Sequence, residues 1–158
     1  MPIARQEIEI AVRVREEAED VSAVGTIGLC PDVDVLAMDS HCDQDGVVLL
    51  LVTTNALKTT FVLSTVGFQC IASQVVLIGP LKGTGIASMI RTHLANAGIG
   101  VQYSYLSRTE RGQRYLVVKT TEIVRTLRAL ENCGAIMETP ANRSAGVKSD
   151  LRQEKYAA

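Results

Sequence analysis

Apolar and polar residues alternate strictly near the start of the chain, where residues 6–15 read QEIEIAVRVR. A period of two predicts a strand with one buried face. That face consists of Ile8, Ile10, Val12 and Val14. Residues 16–29 follow, and their apolar residues have approximately helical spacing. Two glycines lower the stability of this helix by about 1 kcal/mol each relative to alanine. Pro31 ends this helix.

The pattern then predicts a second strand, a hairpin and a central strand. Residues 33–37 alternate, and the polar stretch HCDQDG at 41–46 contains the hairpin signal Asp-Gly. Residues 47–52 are apolar on both faces, which is typical of a strand in the middle of its sheet. A Thr-Thr-Asn stretch at 53–55 supplies a cap for a helix that runs to about Val66, where Gly67 stops it.

The same order of elements recurs in the second half of the chain. Residues 71–80 form a strand, and a glycine-rich loop leads into a helix over 86–98. Strands at 101–108 and 113–120 flank a turn, a helix follows from Thr121, and residues 135–139 could add a last short strand. The inner faces of the two helices are Ile86, Met89, Ile90, His93, Leu94 and Ala97, and then Ile123 or Val124, Leu127 and Leu130.

Matched elements keep a nearly constant separation, which indicates a duplication. Strands begin at 33 and 101 and at 47 and 113, and helices at 56 and 122, so the offsets are 68, 66 and 66 residues. The order predicts an α+β fold of two ferredoxin-like βαββαβ units in tandem, with antiparallel sheets and helices on one face. We expect a first unit over 6–74, a second over 75–139 and a flexible C-terminal tail over 140–158.

Composition narrows the class of protein. The chain has 158 residues, is 47% hydrophobic and carries a formal net charge of -1, so it has ample material for a core. The balanced charge gives no electrostatic signature for nucleic acid or an anionic membrane. No apolar run approaches the ~20 residues of a membrane-spanning helix, and no signal peptide is apparent, so we expect a cytoplasmic protein.

Candidate metal and nucleotide sites are weak. The four cysteines are widely separated, which favours reduced core residues over a zinc site. His41, Cys42, Asp43 and Asp45 form a polar cluster, but a hairpin turn explains it better. The stretch from Gly83 to Ser88 resembles a dinucleotide fingerprint without its third glycine, and no phosphate-binding Gly-Lys-Ser/Thr follows. We expect no cofactor and no catalytic residues.

Residues 75–134 resemble an ACT domain, a small regulatory module. The strongest signature is LANAGIGVQYSYLSR at 94–108, in which a small-residue helix end and a glycine precede an Ile-x-Val entry into a strand. Residues 7–74 share only the order of elements. The resemblance implies binding of a small effector, most often an amino acid, across an interface between units. It also implies a partner enzyme of amino-acid metabolism. Because small units of this kind present exposed sheet edges, which invite pairing, we expect a homodimer that buries about 1,200 Å² or more in total.

Carrying the resemblance over residue by residue gives two candidate effector-binding segments. The first is the loop Leu81, Lys82, Gly83, Thr84 and Gly85. Leu81 stands where the family has an acidic residue, and the glycines permit close backbone approach to a ligand. The second is the strand start Gly98, Ile99, Gly100, Val101 and Gln102. The corresponding loop of the first half, between Arg13 and Glu19, has no glycine, which favours packing or dimerisation there.

The sequence therefore predicts a non-catalytic regulatory protein that senses a small effector. Two alternatives stay open. One is an assembly module without a ligand, which the missing acid at Leu81 makes credible. The other is a small ferredoxin-like enzyme, for which the sequence offers no nucleophile motif or acid–base pair. His93 and the pair Tyr103 and Tyr105 are interpreted first as structural residues of a helix edge and a packed sheet face.

Overall fold

A computed structural model describes residues 3–14 and 17–133, and it contains six strands and four helices. In chain order these are β1 (Ile3–Val14), α1 (Glu17–Gly28), β2 (Val35–Asp43), β3 (Gly46–Thr53), α2 (Ala56–Thr65), β4 (Gln69–Leu81), α3 (Ile86–Asn96), β5 (Val101–Arg108), β6 (Arg114–Thr120) and α4 (Ile123–Glu131). No helix in the described part of the chain is long and apolar enough to cross a membrane.

The repeated order of elements is present in the structure. Helix α2 begins at Ala56 and α4 at Ile123, an offset of 67 residues, and β2 and β5 begin at Val35 and Val101, an offset of 66. All strand pairs are antiparallel. The predicted α+β fold with two βαββαβ arrangements is therefore confirmed.

The six strands form one sheet in the order β2-β3-β1-β4-β6-β5. Strands β1 and β4 lie at its centre and pair without interruption from Ile3 opposite Gly79 to Arg13 opposite Gln69. Along β1, the residues that pair with β3 are 9–14 alone. Along β4, pairing with β6 begins only at Val76. Each central strand therefore contributes one end to each half of the molecule.

The shared strand β1 supplies the fourth strand of the second half. Read from the other edge, the order β5-β6-β4-β1 repeats β2-β3-β1-β4, so β1 takes the position of the fourth strand in the second half. The predicted last strand at 135–139 lies outside the described residues, as does the predicted tail at 140–158. Since β1 completes the second half, the boundary at residue 74 divides a continuous strand, and the division into units stays a prediction.

All four helices pack on one face of the sheet. Helices α1 and α2 cover Ile10, Val12 and Leu51, and helices α3 and α4 cover Val76, Ile78 and Leu116. Paired positions such as Ile10 and Ala72, or Ala4 and Ile78, show that these residues share a face. Burial of this face is the main stabilising contribution, at ~25 cal/mol per Å² of apolar surface.

The opposite face of the sheet is also buried, although no helix of the described residues covers it. Val48, Leu50, Val75, Leu77 and Val117 form a second core there. The sheet curls until its outermost strands β2 and β5 lie against each other, and the Met38 amide donates a hydrogen bond of 2.9 Å to Ser107 Oγ. Curling of the sheet therefore buries this face, as the helices bury the other face.

Several element boundaries and faces differ from the predictions. β1 spans Ile3–Val14 rather than 6–15, and Glu9 on its second face is buried. β2 begins two residues later than expected, after a turn that contains Val33. On α3 the predicted inner residue Met89 is 56% exposed, and on α4 Ile123 rather than Val124 is buried. The curl of the sheet covers Glu9, and the packing of α3 and α4 on the sheet decides which of their residues are buried.

The polar hairpin at 41–46 confirms its interpretation as a turn. Asp43 receives both terminal nitrogens of Arg13 at 2.9 and 2.7 Å, and its Oδ1 accepts the Asp45 amide. The Arg13 guanidinium is the main cause that lowers the pKa of Asp43 to about 2. The ion pair thus joins the end of β1 to the β2–β3 hairpin.

This pair predicts a specific pH dependence of stability. A carboxyl whose pKa is depressed by folding stabilises the native state above its unfolded pKa, near 3.9, and loses that contribution as pH falls through about 2. We expect Asp43→Asn to be less stable than wild type at pH 6 and equally stable near pH 2, in urea titrations across that range. In a chain that already carries Arg13→Gln, replacing Asp43 by Asn should no longer change the free energy of unfolding at pH 6. A difference that persists below pH 2 would contradict this assignment.

Candidate functional site

The glycine-rich loop joins the end of β4 to the start of α3 at one end of the sheet. Leu81 closes β4 with its side chain in the helix-side core, whereas Lys82, Gly83, Thr84 and Gly85 are exposed. Gly83 and Gly85 have φ values of 81° and 82°, a region that side-chain-bearing residues rarely adopt. The two glycines therefore allow the chain to turn tightly from β4 into α3.

Gly85 is the N-cap of α3, and no side chain caps this helix. The first-turn amides of a helix have no intrahelical acceptor, and the helix dipole places partial positive charge beside them. A Cβ built on Gly85 would meet no atom within 4 Å, so the space next to the cap is open. This end of α3 can accept a carboxylate or another small anion.

Arg114 adds a cation to the loop. Its guanidinium donates to the Gly83 carbonyl oxygen, because β6 begins opposite the end of β4 with Arg114 paired to Leu81. The sequence pattern does not point to Arg114, since the offset between halves gives the order of elements but not which strand ends lie together. The result is a polar surface with partial positive charge, formed by the loop glycines, the first helix amides and Arg114.

The second predicted segment lies at the other end of α3, roughly 16 Å away at 1.5 Å per helical residue. Ile99 is buried in the helix-side core, and Gly98, Gly100, Val101 and Gln102 lie at the surface. Within one chain the structure therefore does not bring the two predicted segments together. A site that includes both requires a second copy of the chain.

The backbone around Gly98 and Gly100 already has polar partners. Glu122 Oε2 accepts the Gly100 amide at 2.9 Å, and Arg125 donates to the carbonyl oxygens of Ala97 and Gly98 at 2.8 and 3.3 Å. The Gly100 amide, followed by Arg125, lowers the pKa of Glu122. These contacts fix the entry into β5 and occupy the Gly100 amide and the carbonyl oxygens of Ala97 and Gly98.

Tyr103 and Tyr105 point from β5 onto the buried face of the sheet. Both hydroxyls donate to the Glu9 carboxylate, with 2.8 Å between Tyr105 Oη and Glu9 Oε2, and their rings stack at a centroid distance of 6.4 Å. Burial is the main cause that raises the pKa of both phenols, and the hydrogen bonds to Glu9 and its charge raise it further. The pair is thus a packed sheet face, as its spacing indicated, but its acceptor on β1 was not foreseen.

Two grooves lie outside the predicted site. One, about 780 Å³, is lined by Arg13, Thr26, Gly67 and Phe68 at the end of the first half that corresponds to the glycine loop. The other, about 500 Å³, runs between α3 and α4 beside Met89 and Cys133. His93, on this second groove, has its Nε2 2.7 Å from the Ala129 carbonyl oxygen, a contact that joins the two helices.

Candidate metal ligands do not converge in the part of the chain that the structure describes. No group of three His, Cys, Asp or Glu side chains comes together there. His41 and Cys42 are exposed on β2, and Asp43 is engaged by Arg13. All four cysteines are free thiols, and burial raises the pKa of Cys70 and Cys133.

Comparisons with known proteins identify the fold. The sequence matches no protein-family profile and no curated protein. Among solved structures, a protein from Bacteroides thetaiotaomicron is similar at a TM-score of 0.65 and 13% identity, over 83% of this chain and 89% of that one. The regulatory subunits of aspartate kinase from Thermus thermophilus and Thermus flavus are similar at TM-scores of 0.56 and 0.52, with 14% and 17% identity, over 83% of this chain and 95% of theirs. The fold is therefore ACT-like.

Proposed function

We propose that this chain is a non-catalytic regulatory protein that binds a small carboxylate-bearing effector, such as an amino acid, and modulates an enzyme of amino-acid metabolism. The observation that carries the proposal is the uncapped start of α3, where Gly85 faces open space two residues after the Gly83 carbonyl that Arg114 contacts. The fold shared with two aspartate kinase regulatory subunits supports a regulatory role for it. Segment 98–102 would complete the site from a second copy.

The effector carboxylate would lie between the first-turn amides of α3 and the Arg114 guanidinium. Charge-assisted hydrogen bonds of this kind contribute roughly 1.5–3 kcal/mol each. With no acidic residue at Leu81 in the loop, an α-amino group would need an acceptor elsewhere. Binding would shift the populations of assembly states only if the effector has different affinities for them.

The first experiment is a thermal-shift screen of the twenty amino acids followed by titration calorimetry of any that stabilise the chain. A ligand that binds only the native state raises its stability by RT ln(1 + [L]/Kd). Absence of any ligand would favour the alternative, an assembly module.

The variant Gly85→Val tests the location of the site. A β-branched side chain at this cap would fill the space beside the helix amides, so we expect affinity to fall about tenfold to a hundredfold with the loss of one charge-assisted bond. Because Gly85 has positive φ, the variant also strains the backbone and should melt at a lower temperature.

Gly67→Val is the matched control for that strain. Gly67 has a φ of 99°, its Cβ would also meet nothing within 4 Å, and it follows α2 at the far end of the sheet. It should lower the melting temperature comparably and leave affinity unchanged. Equal affinity of folded Gly85→Val and wild type would place the site elsewhere.

A further inference from the structure

The two halves of the chain carry opposite charge. Residues 1–73 contain four basic and eleven acidic residues, whereas residues 74–133 contain eight basic and three acidic ones. The formal net charge of -1 therefore conceals an acidic first half and a basic second half. Charge asymmetry of this kind within one chain points to a partner of opposite charge for one of the halves.

Half of the basic residues of 74–133 meet at the end of the sheet where the glycine loop lies. One follows β4, one ends β5, one lies in the β5–β6 turn and one begins β6, and these are Lys82, Arg108, Arg111 and Arg114. In the part of the chain that the structure describes, none of the four forms an ion pair. The loop and the hairpin end contain a single acidic residue, Glu110, so this end of the second half is strongly cationic.

Two of these arginines lie directly opposite each other. Arg108 pairs with Arg114 between β5 and β6, and Arg114 pairs with Leu81 between β6 and β4. Opposed residues of an antiparallel pair share a face, and Leu81 lies in the helix-side core, so both arginines lie on the side of the sheet that carries α3. Like charges in this position destabilise a sheet. An anionic ligand between them would stabilise it.

One of the two arginines reaches the glycine loop itself. The Arg114 guanidinium donates to the Gly83 carbonyl oxygen, and the space beside Gly85 is open. The first-turn amides of α3 lie at the same end of the sheet. A ligand at the loop therefore meets more donors and more positive charge than a single carboxylate balances.

We infer that the proposed effector site takes a small ligand with at least two negative charges and no ammonium group, which means a dicarboxylate or a phosphate compound. The inference rests on the proposed function, since it uses the same loop, and it narrows the class of effector. Two anionic groups balance the opposed arginines and the start of α3 together. An ammonium group meets no carboxylate at Leu81 and is repelled by the four cations.

The charge of the first half favours a small anion over a long one. Its eleven acidic residues against four basic ones repel a polyanion that extends beyond the loop. The cationic cluster is confined to one loop, one turn and the strand ends beside them. A ligand of few atoms can therefore contact the cluster without approaching the acidic half.

Four carboxylates separate the number of negative charges from the presence of an ammonium group. Butyrate has one carboxylate and glutarate has two, and α-aminobutyrate and glutamate each add an ammonium group. NMR titration of the isotope-labelled chain at neutral pH and low salt measures their affinities and locates the site. We expect glutarate to bind about tenfold tighter than butyrate, and each amino compound to bind more weakly than its counterpart. The amide shifts should be largest at 82–88 and 108–114.

Arg108→Gln tests the opposed arginines. It removes one cation without touching the contact to Gly83, so we expect the affinity for glutarate to fall about tenfold and that for butyrate to change less. Because the variant also removes the like-charge opposition, without ligand it should melt at or above the wild-type temperature. Arg128→Gln is the matched control, since Arg128 is an exposed cation of the same half on α4, one turn from Arg125, which contacts the far end of α3. It should keep the wild-type affinity.

Butyrate or α-aminobutyrate that binds as tightly as glutarate would overturn the inference. Equal losses of glutarate affinity in Arg108→Gln and Arg128→Gln, a clearly lower melting temperature of Arg108→Gln, or no amide shifts at 82–88 with any probe would do the same. The proposed function fails by a different result, an affinity for these probes that Gly85→Val leaves unchanged. Tighter binding of pyrophosphate than of glutarate would support the inference and assign the charges to phosphate groups, and the reverse order would assign them to carboxylates.

Discussion

Gly79→Ala is expected to lower the free energy of unfolding by about 3 kcal/mol or more. A Cβ at this position would lie 2.6 Å from Tyr115 Cδ1 and 2.8 Å from the Arg114 carbonyl oxygen. The second contact is with backbone, so it is relieved only if β4 and β6 move apart. Overpacking in a well-packed core costs about 1–3 kcal/mol, and the φ of 156° at Gly79, which residues with side chains rarely adopt, adds a backbone cost of about 1–3 kcal/mol.

Gly112→Ala is the control for the backbone contribution. Gly112 has a φ of 80°, and its Cβ would meet nothing within 4 Å, so only the conformational cost of about 1–2 kcal/mol should appear. Urea denaturation of both variants measures the difference. Equal losses of unfolding free energy in the two variants would mean that β4 and β6 are not held as closely at Gly79 as the distances indicate. Because β4 leads directly into the glycine loop, a shift there should also reduce effector affinity.

Glu9→Leu is expected to cost about 3 kcal/mol, although glutamate is usually a surface residue. Glu9 is 1% exposed and accepts the hydroxyls of Tyr103 and Tyr105. Removing the carboxylate leaves the buried Tyr105 hydroxyl without an acceptor, at about 1–3 kcal/mol for a buried unsatisfied group, and the half-buried Tyr103 hydroxyl loses its partner as well. The same contacts tie β5 to β1 across the curled face, so the variant should also loosen the closure between β2 and β5.

The triple variant Glu9→Leu, Tyr103→Phe and Tyr105→Phe separates the two contributions. Replacing all partners of a buried polar network by apolar groups costs much less than removing one. We expect the triple variant to recover most of the stability that Glu9→Leu loses, as measured by urea denaturation. A triple variant as unstable as the single one would mean that the network itself, rather than unsatisfied hydroxyls, stabilises the sheet.

Some features of the candidate site follow from the sequence and others do not. The ACT resemblance predicts the loop at 81–85 as a site, and that stays a prediction. Its glycines between a strand and a helix are a local signal for a turn, with which the positive φ values of Gly83 and Gly85 agree. Arg114 was missed because it reaches Gly83 only through the pairing of β4 with β6. The predicted partner segment at 98–102 lies at the far end of α3, since a helix separates what a family motif groups together.

The sequence by itself determined the elements, their repeated order and the face on which the helices lie. Alternation in β1, the Asn55 cap of α2 and the glycine after that helix are local or periodic signals, and tertiary contacts leave them intact. The 67-residue offset between α2 and α4 is likewise a property of the sequence pattern alone.

Only the tertiary structure decided how the two halves share strands. Residues 3–8 complete the second half because β1 is long enough to run beside both halves of β4, and strand pairing is specified between distant segments. The same curling buries Glu9, which alternation assigns to a polar face, against tyrosines almost a hundred residues away. A pattern with period two tells which residues share a face. Whether that face meets water depends on the curvature of the whole sheet, because strand alternation carries no information about it.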